Sequence, residues 1–256
     1  MPPAHWYTGI VTDVSDLAPR TKSFRIKIPE VQQFDFKAGQ FITFDLPVGE
    51  KRLQRWRSYS IASAPGDSNE IELCLVHFEQ GLGSTYFFKE ISIGSELKFK
   101  APEGGFILPG EIDHDLVMIC TGTGIAPFRS MIRDIFHRNL TNRNIHLIFG
   151  TRKAEDILYL DEWKELSNSL PGFRFDIALS REDLNELRTG GFRARGISGN
   201  LHSGYVHPIY LKQYTVPRKD VHFYICGWSM MIDEAVENLF GELHYERNQI
   251  HYELYG

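Results

Sequence analysis

One stretch constrains this chain more than any other. The nearly continuous apolar run Asp115–Cys120 (DLVMIC) leads straight into Thr121-Gly122-Thr123-Gly124-Ile125-Ala126-Pro127. Such a run fits a strand buried on both faces, as in a parallel sheet covered by helices. The glycines let the backbone turn sharply and approach a ligand closely, and Pro127 suits a first helical turn. The pattern then repeats: helix about 127–137, strand Ile145–Phe149, helix about 161–167, strand Arg174–Leu179, strand Val221–Cys226, helix about 230–240 and strand Ile250–Leu254. Strands alternating with helices predict a parallel, doubly wound sheet.

Before Gly110 the texture differs. Thr21–Ile28, Gln40–Leu46, Arg57–Ala62, Glu70–His77 and Ser95–Lys100 are short strand-like runs separated by Pro, Gly and Asp, with one helical stretch, Ser84–Ile91. Phe24, Ile26 and Ile28 alternate with Arg25 and Lys27, which puts the apolar set on one face. This pattern predicts a closed antiparallel barrel or a sandwich. The boundary falls near residues 108–114, giving expected domains 1–110 and 111–256, a natural division of 256 residues.

Composition removes several function classes. A net charge of −5 with 28 Lys and Arg argues against a nucleic-acid partner. Cys74, Cys120 and Cys226 are far apart in sequence and too few for a disulfide framework, a four-thiolate zinc site or a plant-type iron–sulfur site, so a reducing cytoplasm is expected. The start MPPAHWYTGIVTD shows no secretory pattern, and no apolar run approaches the ~18 residues of a membrane span. The ten histidines show no metal spacing; His77 and His251 read as packing or local bonding, and Met230 and Met231 as helix-start packing. No metal is expected.

Four motifs could carry chemistry, each with a bland alternative. The strand–glycine–helix turn at Gly122–Pro127 could bind a pyrophosphate through free N–H groups and the helix dipole, or be a plain tight turn. In Arg57-Ser58-Tyr59-Ser60, alternation puts Arg57 and Tyr59 on one face and Ser58 and Ser60 on the other. That suits a flat, phosphorylated cofactor or a polar strand edge. Gln80-Gly81-Leu82-Gly83-Ser84-Thr85 opens the first region's helix with two hydroxyls at cap positions, as an anion site or merely a capped helix. Cys226-Gly227 ends a strand where doubly wound sheets hold ligands, but buried cysteine is also ordinary packing.

In this order RSYSIASAP, GLGST, GTGIAP and CGWSMM resemble the ferredoxin–NADP reductase superfamily over nearly the whole chain. The resemblance implies an antiparallel Greek-key β-barrel that binds flavin, FAD rather than FMN, followed by a doubly wound α/β domain that binds a nicotinamide dinucleotide. It implies that Tyr59 packs on the isoalloxazine, Arg57 pairs with the flavin pyrophosphate, Ser60 bonds near flavin N5, and the Gly81–Thr85 loop aims a helix start at the same pyrophosphate. It places the dinucleotide pyrophosphate on the turn from Thr121 to Pro127 (Gly122, Thr123 and Gly124), the nicotinamide beside Cys226 and Gly227, and Arg152 on the dinucleotide. NQIHYELYG looks like the family's plant-type carboxyl terminus. It casts Tyr255 as the aromatic over the flavin and Glu253 as a catalytic carboxylate, although Gly256 follows the tyrosine.

Ser180-Arg181 stands where NADP-preferring members hold the 2′-phosphate. Glu182 and Asp183, which follow at once, would favour NAD, while Arg193 and Arg195 could add positive charge. NADP is the expected cofactor, with NAD as alternative. The implied activity is hydride exchange between NADP(H) and flavin, with electrons passed to or from ferredoxin or flavodoxin by a monomeric enzyme. Lys51, Arg52 and Arg55 form a basic cluster that could steer such a partner or be a solvated loop. Two alternatives stay open: an NADH-dependent reductase of an oxygenase or other electron-transfer system, and a flavin subunit without independent activity.

Overall fold

A computed structural model of the chain describes residues 5–140, 143–189 and 200–255; Arg193, Arg195 and Gly256 lie outside the described residues. By packing, the chain divides into two compact units, Met1–Leu108 with Ala126–Arg138, and Pro109–Ile125 with Asn139–Gly256.

The first unit contains strands β1 (His5–Ala18), β2 (Thr21–Lys27), β3 (Phe41–Asp45), β4 (Trp56–Ser60), β5 (Glu70–Val76) and β6 (Glu96–Glu103). The short helix α1 (Arg52–Arg55) and helix α2 (Leu82–Glu90) interrupt them. The strands form one antiparallel sheet in the order β4-β3-β6-β1-β2-β5, a Greek-key arrangement. An Ile61–Leu73 bridge and the bond from Ala62 N–H to Glu72 C=O (2.7 Å) join its two edges, so the sheet closes as a barrel. Phe24, Ile26 and Ile28 are fully buried, as the alternation predicts. Phe87 anchors α2 by packing edge-on against Phe24 (5.2 Å) and Phe44 (5.1 Å).

In the second unit β7 (Asp115–Thr121), β8 (Ile145–Thr151), β9 (Phe173–Leu179), β10 (Leu201–Ser203), β11 (Val221–Trp228) and β12 (Ile250–Tyr255) form a wholly parallel sheet ordered β10-β9-β8-β7-β11-β12. The order reverses at β7, so the switch point lies between the carboxyl ends of β7 and β11. Helices α3 (Ile125–His137), α4 (Leu160–Ser169), α5 (Leu184–Thr189), α6 (His207–Gln213) and α7 (Ser229–Glu237) complete the chain. By packing, α3 goes with the barrel from Ala126 onward. Met231 is buried as expected, but Met230 is 83% exposed, a correction: the first turn of α7 turns only one of its two methionines inward. Among the described residues no helix is long and apolar enough to cross a membrane.

Histidines cluster on the parallel sheet, His146 buried and His202, His222 and His251 half-buried. His146 meets Asp176 through Nε2 (2.7 Å) and Tyr214 through Nδ1 (2.8 Å), while His202 takes the other Asp176 oxygen (2.7 Å). His222 lies 3.8 Å from the His114 ring and bonds His251 (3.2 Å). Burial lowers the pKa of His146 and His251, and burial plus the neighbouring histidines brings His222 down to about 4. For Asp176, burial is outweighed by its two imidazole partners, which hold it at about 2. The signs follow from linkage. A histidine whose folded pKa is depressed contributes stability fully above its unfolded value near ~6.5 and loses it as pH falls below that. Asp176 contributes above its unfolded value near ~3.9 and loses that contribution as pH falls toward its folded value. Urea midpoints should therefore fall from pH 7 to 4 and fall again below pH 4. His222→Phe should flatten the first of these two slopes.

Candidate functional site

In the barrel unit, β4 pairs with β3 in the register Thr43–Ser58 and Phe41–Ser60. Ser58 Oγ lies 2.9 Å from Thr43 Oγ1, and Ser60 is buried. Arg57 and Tyr59 share the other face. Tyr59 packs edge-on against Phe87 (5.4 Å), and burial pushes its hydroxyl up to about 12, opposed by the Arg57 charge. Nη1 of Arg57 donates to the carbonyls of Leu53 and Trp56, both at 2.7 Å.

The start of α2 lies against these two side chains. A Cβ placed on Gly83 would stand 2.8 Å from Arg57 Cγ and 2.9 Å from the Tyr59 hydroxyl. Two motifs separated in sequence thus form one cradle: an aromatic ring, a guanidinium and the first turn of a nine-residue helix, whose leading N–H groups have no partner within the helix. This donor set fits a flat cofactor with a diphosphate. One expected detail is corrected. The N-cap is Gly81, without a side-chain cap. Ser84 Oγ instead donates to Phe78 C=O (3.0 Å) and accepts from Phe78 N–H (3.1 Å), which fixes the loop rather than capping the helix.

The basic cluster beside this motif is largely engaged. Arg55 binds the Asp45 carboxylate through Nε (2.7 Å) and Nη2, and the Arg52 guanidinium lies 4.4 Å over the Trp56 ring. The segment is a short helix, α1, rather than an open loop.

In the α/β unit, Thr121 leads from β7 into a 3-10 turn, Gly122–Gly124, that opens α3. A Cβ on Gly124 would fall on the carbonyl oxygen of Cys226 and stand 2.9 Å from Gly227 Cα. Gly227 has φ +146°, and a Cβ there would fall on Thr121 Oγ1. The turn after β7 and the end of β11 therefore meet backbone to backbone at the switch point. Thr121 Oγ1 is buried there without a hydrogen-bond partner among the described residues. An orphaned hydroxyl where the strand order reverses fits a site that a polar ligand completes.

Cys120 and Cys226 are paired in register on β7 and β11, so chain positions far apart in sequence become neighbours; both thiols are free and fully buried. Burial pushes the Cys226 thiol up, the Glu253 charge adds to this, and the Tyr255 hydroxyl opposes it. Glu253 lies opposite Cys226 in the register, and Tyr255 opposite Trp228. The carboxyl ends of β11 and β12 thus bring together Cys226, Glu253 and Tyr255, with the thiol neutral.

A third group lies at the ends of β8 and β9. Arg181 N–H donates to Arg152 C=O (2.9 Å), and Ser180 N–H to Thr151 C=O (3.0 Å), so Arg152, Ser180 and Arg181 are adjacent. The neighbouring acidic residues are held by backbone N–H groups. Glu182 accepts from Ala154 N–H (3.0 Å), and Asp183 accepts from Asn185 N–H (2.8 Å) at the start of α5. Sequence reading also passed over a buried group, Glu72, Arg129 and Ser130, since no local pattern marks an ion pair formed between residues this far apart.

Comparison with known proteins agrees with this geometry. Residues 8–107 match an oxidoreductase FAD-binding domain, and residues 118–237 an oxidoreductase NAD-binding domain. Ferredoxin–NADP reductase B of Sorangium cellulosum is 30% identical over 94% of each chain. Phenol hydroxylase P5 protein of Acinetobacter pittii is 28% identical over 94% of this chain, but the match spans only 64% of that longer protein. A ferredoxin NADP+ reductase from Neisseria gonorrhoeae, solved with bound FAD and NADP, superimposes with a TM-score of 0.77 at 26% identity, over 97% of this chain and 98% of that one. An FAD-binding barrel, a dinucleotide-binding parallel sheet and a full-length relative agree: this chain is a flavoprotein reductase of the ferredoxin–NADP reductase superfamily.

Proposed function

We propose that the chain exchanges a hydride between NADP(H) and FAD and passes electrons to or from ferredoxin or flavodoxin. Residues 1–110 hold the flavin and residues 111–256 the dinucleotide. In this reading Arg57, Ser58, Tyr59, Ser60 and the Gly81–Thr85 loop bind FAD. The turn from Thr121 to Pro127 takes the dinucleotide pyrophosphate, while Cys226 and Gly227 line the nicotinamide position. FAD when bound supplies two-electron uptake and one-electron release. The chain's own residues bind and orient. The helix start and Arg57 offset the diphosphate charge, Tyr59 supports a flat ring, and a neutral Cys226 packs beside the nicotinamide without adding charge. In this reading Glu253 is the catalytic carboxylate and Tyr255 the aromatic that the family resemblance assigns to the flavin. Both cofactor sites lie on one chain, which supports a monomer, and three free thiols fit a reducing compartment such as the cytoplasm.

The observation that carries the choice of NADP is the engagement of Glu182 and Asp183 with backbone N–H groups. With each carboxylate oriented by a backbone N–H, Arg181 and Arg152 are the cations that would meet a 2′-phosphate. Arg181→Ala should lower the NADPH-over-NADH preference about 10- to 100-fold, the loss of ~1.5–3 kcal/mol of charge-assisted bonding. Steady-state kcat/KM with both nucleotides measures it, and an unchanged ratio rejects the assignment.

A second reading is supported by relatives of another kind. The phenol hydroxylase P5 protein and several monooxygenase reductase components match nearly the whole chain, although it spans only about 62–65% of three of those proteins. Under that reading an NADH-driven chain feeds an oxygenase. Turnover of the purified protein with each nucleotide against ferredoxin, flavodoxin and a dye separates the two. Dye reduction by the chain alone also excludes a subunit without independent activity.

A further inference from the structure

Directly after β4, the segment Ile61–Ser63 is pinned from both sides within the barrel unit. Ile61 N–H bonds Gln40 C=O (3.0 Å), and Ala62 N–H bonds Glu72 C=O (2.7 Å). Glu72 N–H in turn donates to Ser63 Oγ (3.0 Å). Two of the segment's carbonyls are taken by α3. Arg129 Nη1 donates to Ala62 C=O (3.0 Å), and Ser130 Oγ donates to Ser63 C=O (2.7 Å). The same Arg129 nitrogen lies 3.2 Å from Glu72 Oε1, and both side chains are about nine-tenths buried.

A buried ion pair is a poor device for stability alone, because desolvation offsets its attraction and apolar residues would fill the same space. Here Arg129 of the pair and the adjacent Ser130 hold two backbone carbonyls, one and two residues beyond Ile61, immediately after the segment that ends in Ser60. Fixing those carbonyls fixes the backbone on which Ser60 and Tyr59 are carried, to the tolerance that orienting a cofactor requires.

We infer that Arg129 and Ser130 are positioning residues for the flavin, acting through Ala62 and Ser63. This rests on the reading that β4 and the residues after it hold FAD. Two variants of the FAD-loaded protein, Ser130→Ala and Arg129→Lys, and the rescue variant Ser130→Thr test it. Ser130→Ala removes only the hydroxyl bond to Ser63, and Ser130→Thr restores a hydroxyl. Arg129→Lys keeps the charge opposite Glu72 but loses the planar donor to Ala62.

On dilution, the FAD-loaded Ser130→Ala and Arg129→Lys proteins should release FAD about tenfold faster than wild type, followed as recovery of free-flavin fluorescence. Their visible flavin bands and midpoint potential should move as well. Ser130→Thr should return all three readouts toward wild type. If both variants melt at lower temperature but keep the wild-type release rate, spectrum and potential, the residues are merely structural and the inference falls. A wild-type protein that holds no FAD would instead sink the reading on which it rests.

Discussion

Gly83→Val is expected to give a folded protein that purifies without its flavin. The atoms nearest a Cβ at residue 83 are side-chain atoms, Arg57 Cγ at 2.8 Å and the Tyr59 hydroxyl at 2.9 Å. Side chains give way where backbone cannot, so the barrel should survive with the ~1–3 kcal/mol cost usual for overpacking. What moves is the cradle. The guanidinium and the ring are pushed off the first turn of α2, and the charge-assisted contacts a diphosphate would make there are lost together with the support for its ring. At ~1.5–3 kcal/mol for a hydrogen bond to a charged group, plus the displaced ring, FAD affinity should fall by at least about 100-fold. Flavin content per protein, with circular dichroism as the check on folding, measures it. Gly105→Ala is the control, because a Cβ there meets nothing within 4 Å. Wild-type flavin content in Gly83→Val would mean that the strand motif and the helix start do not form a cofactor site.

The motifs of this candidate site were legible because they are written in short runs: an alternating RSYS, and glycines at a helix start. The two-texture fold was legible for the same reason, through period-2 alternation before Gly110 and buried strands alternating with helices after it. The long first strand was not. β1 is a central strand of the barrel, yet its pairing with β2 shifts between Val11 and Asp13 and again between Asp16 and Ala18. Each bulge resets the inside–outside alternation, so no steady period survives in HWYTGIVTDVSDLA. β10, of three residues, and the short helices α5 and α6 carry too few residues for a period to show. Charges were the least legible. Arg55 finds Asp45 ten residues away, Arg129 finds Glu72 across the barrel unit, and Glu182 finds a backbone N–H at Ala154. Each looks free in sequence because its partner is set by tertiary structure, and only the last of these bears on the proposed preference for NADP.

Gly124→Ala should nearly abolish reduction by nicotinamide nucleotides while leaving the flavin bound. The contrast with Gly83 lies in what the added methyl meets. At residue 124 it falls on the main chain of the other strand end, the Cys226 carbonyl and Gly227 Cα, which no rotamer change can clear. The turn after β7 and the end of β11 must part, and the switch-point crevice between them widens. The shift also displaces Cys226, whose thiol stands opposite Glu253 in the strand register. A misplacement of about 1 Å costs on the order of 100-fold where two reactants must be held in line, so kcat/KM for NADPH should fall at least that far. The cradle proposed for the flavin lies on β4 and α2, and Arg129 and Ser130 stand more than a turn into α3, so FAD content and its reduction by dithionite should stay at the wild-type level. Gly227→Ala approaches the same contact from the opposite strand. Its φ of +146° is closed to alanine without strain, and its methyl would fall on Thr121 Oγ1, so it should show the same split between retained flavin and lost nucleotide. Stopped-flow flavin reduction separates binding from transfer. If either variant reduces its flavin with NADPH at the wild-type rate, the backbone contact between β7 and β11 is a packing detail and the dinucleotide binds elsewhere.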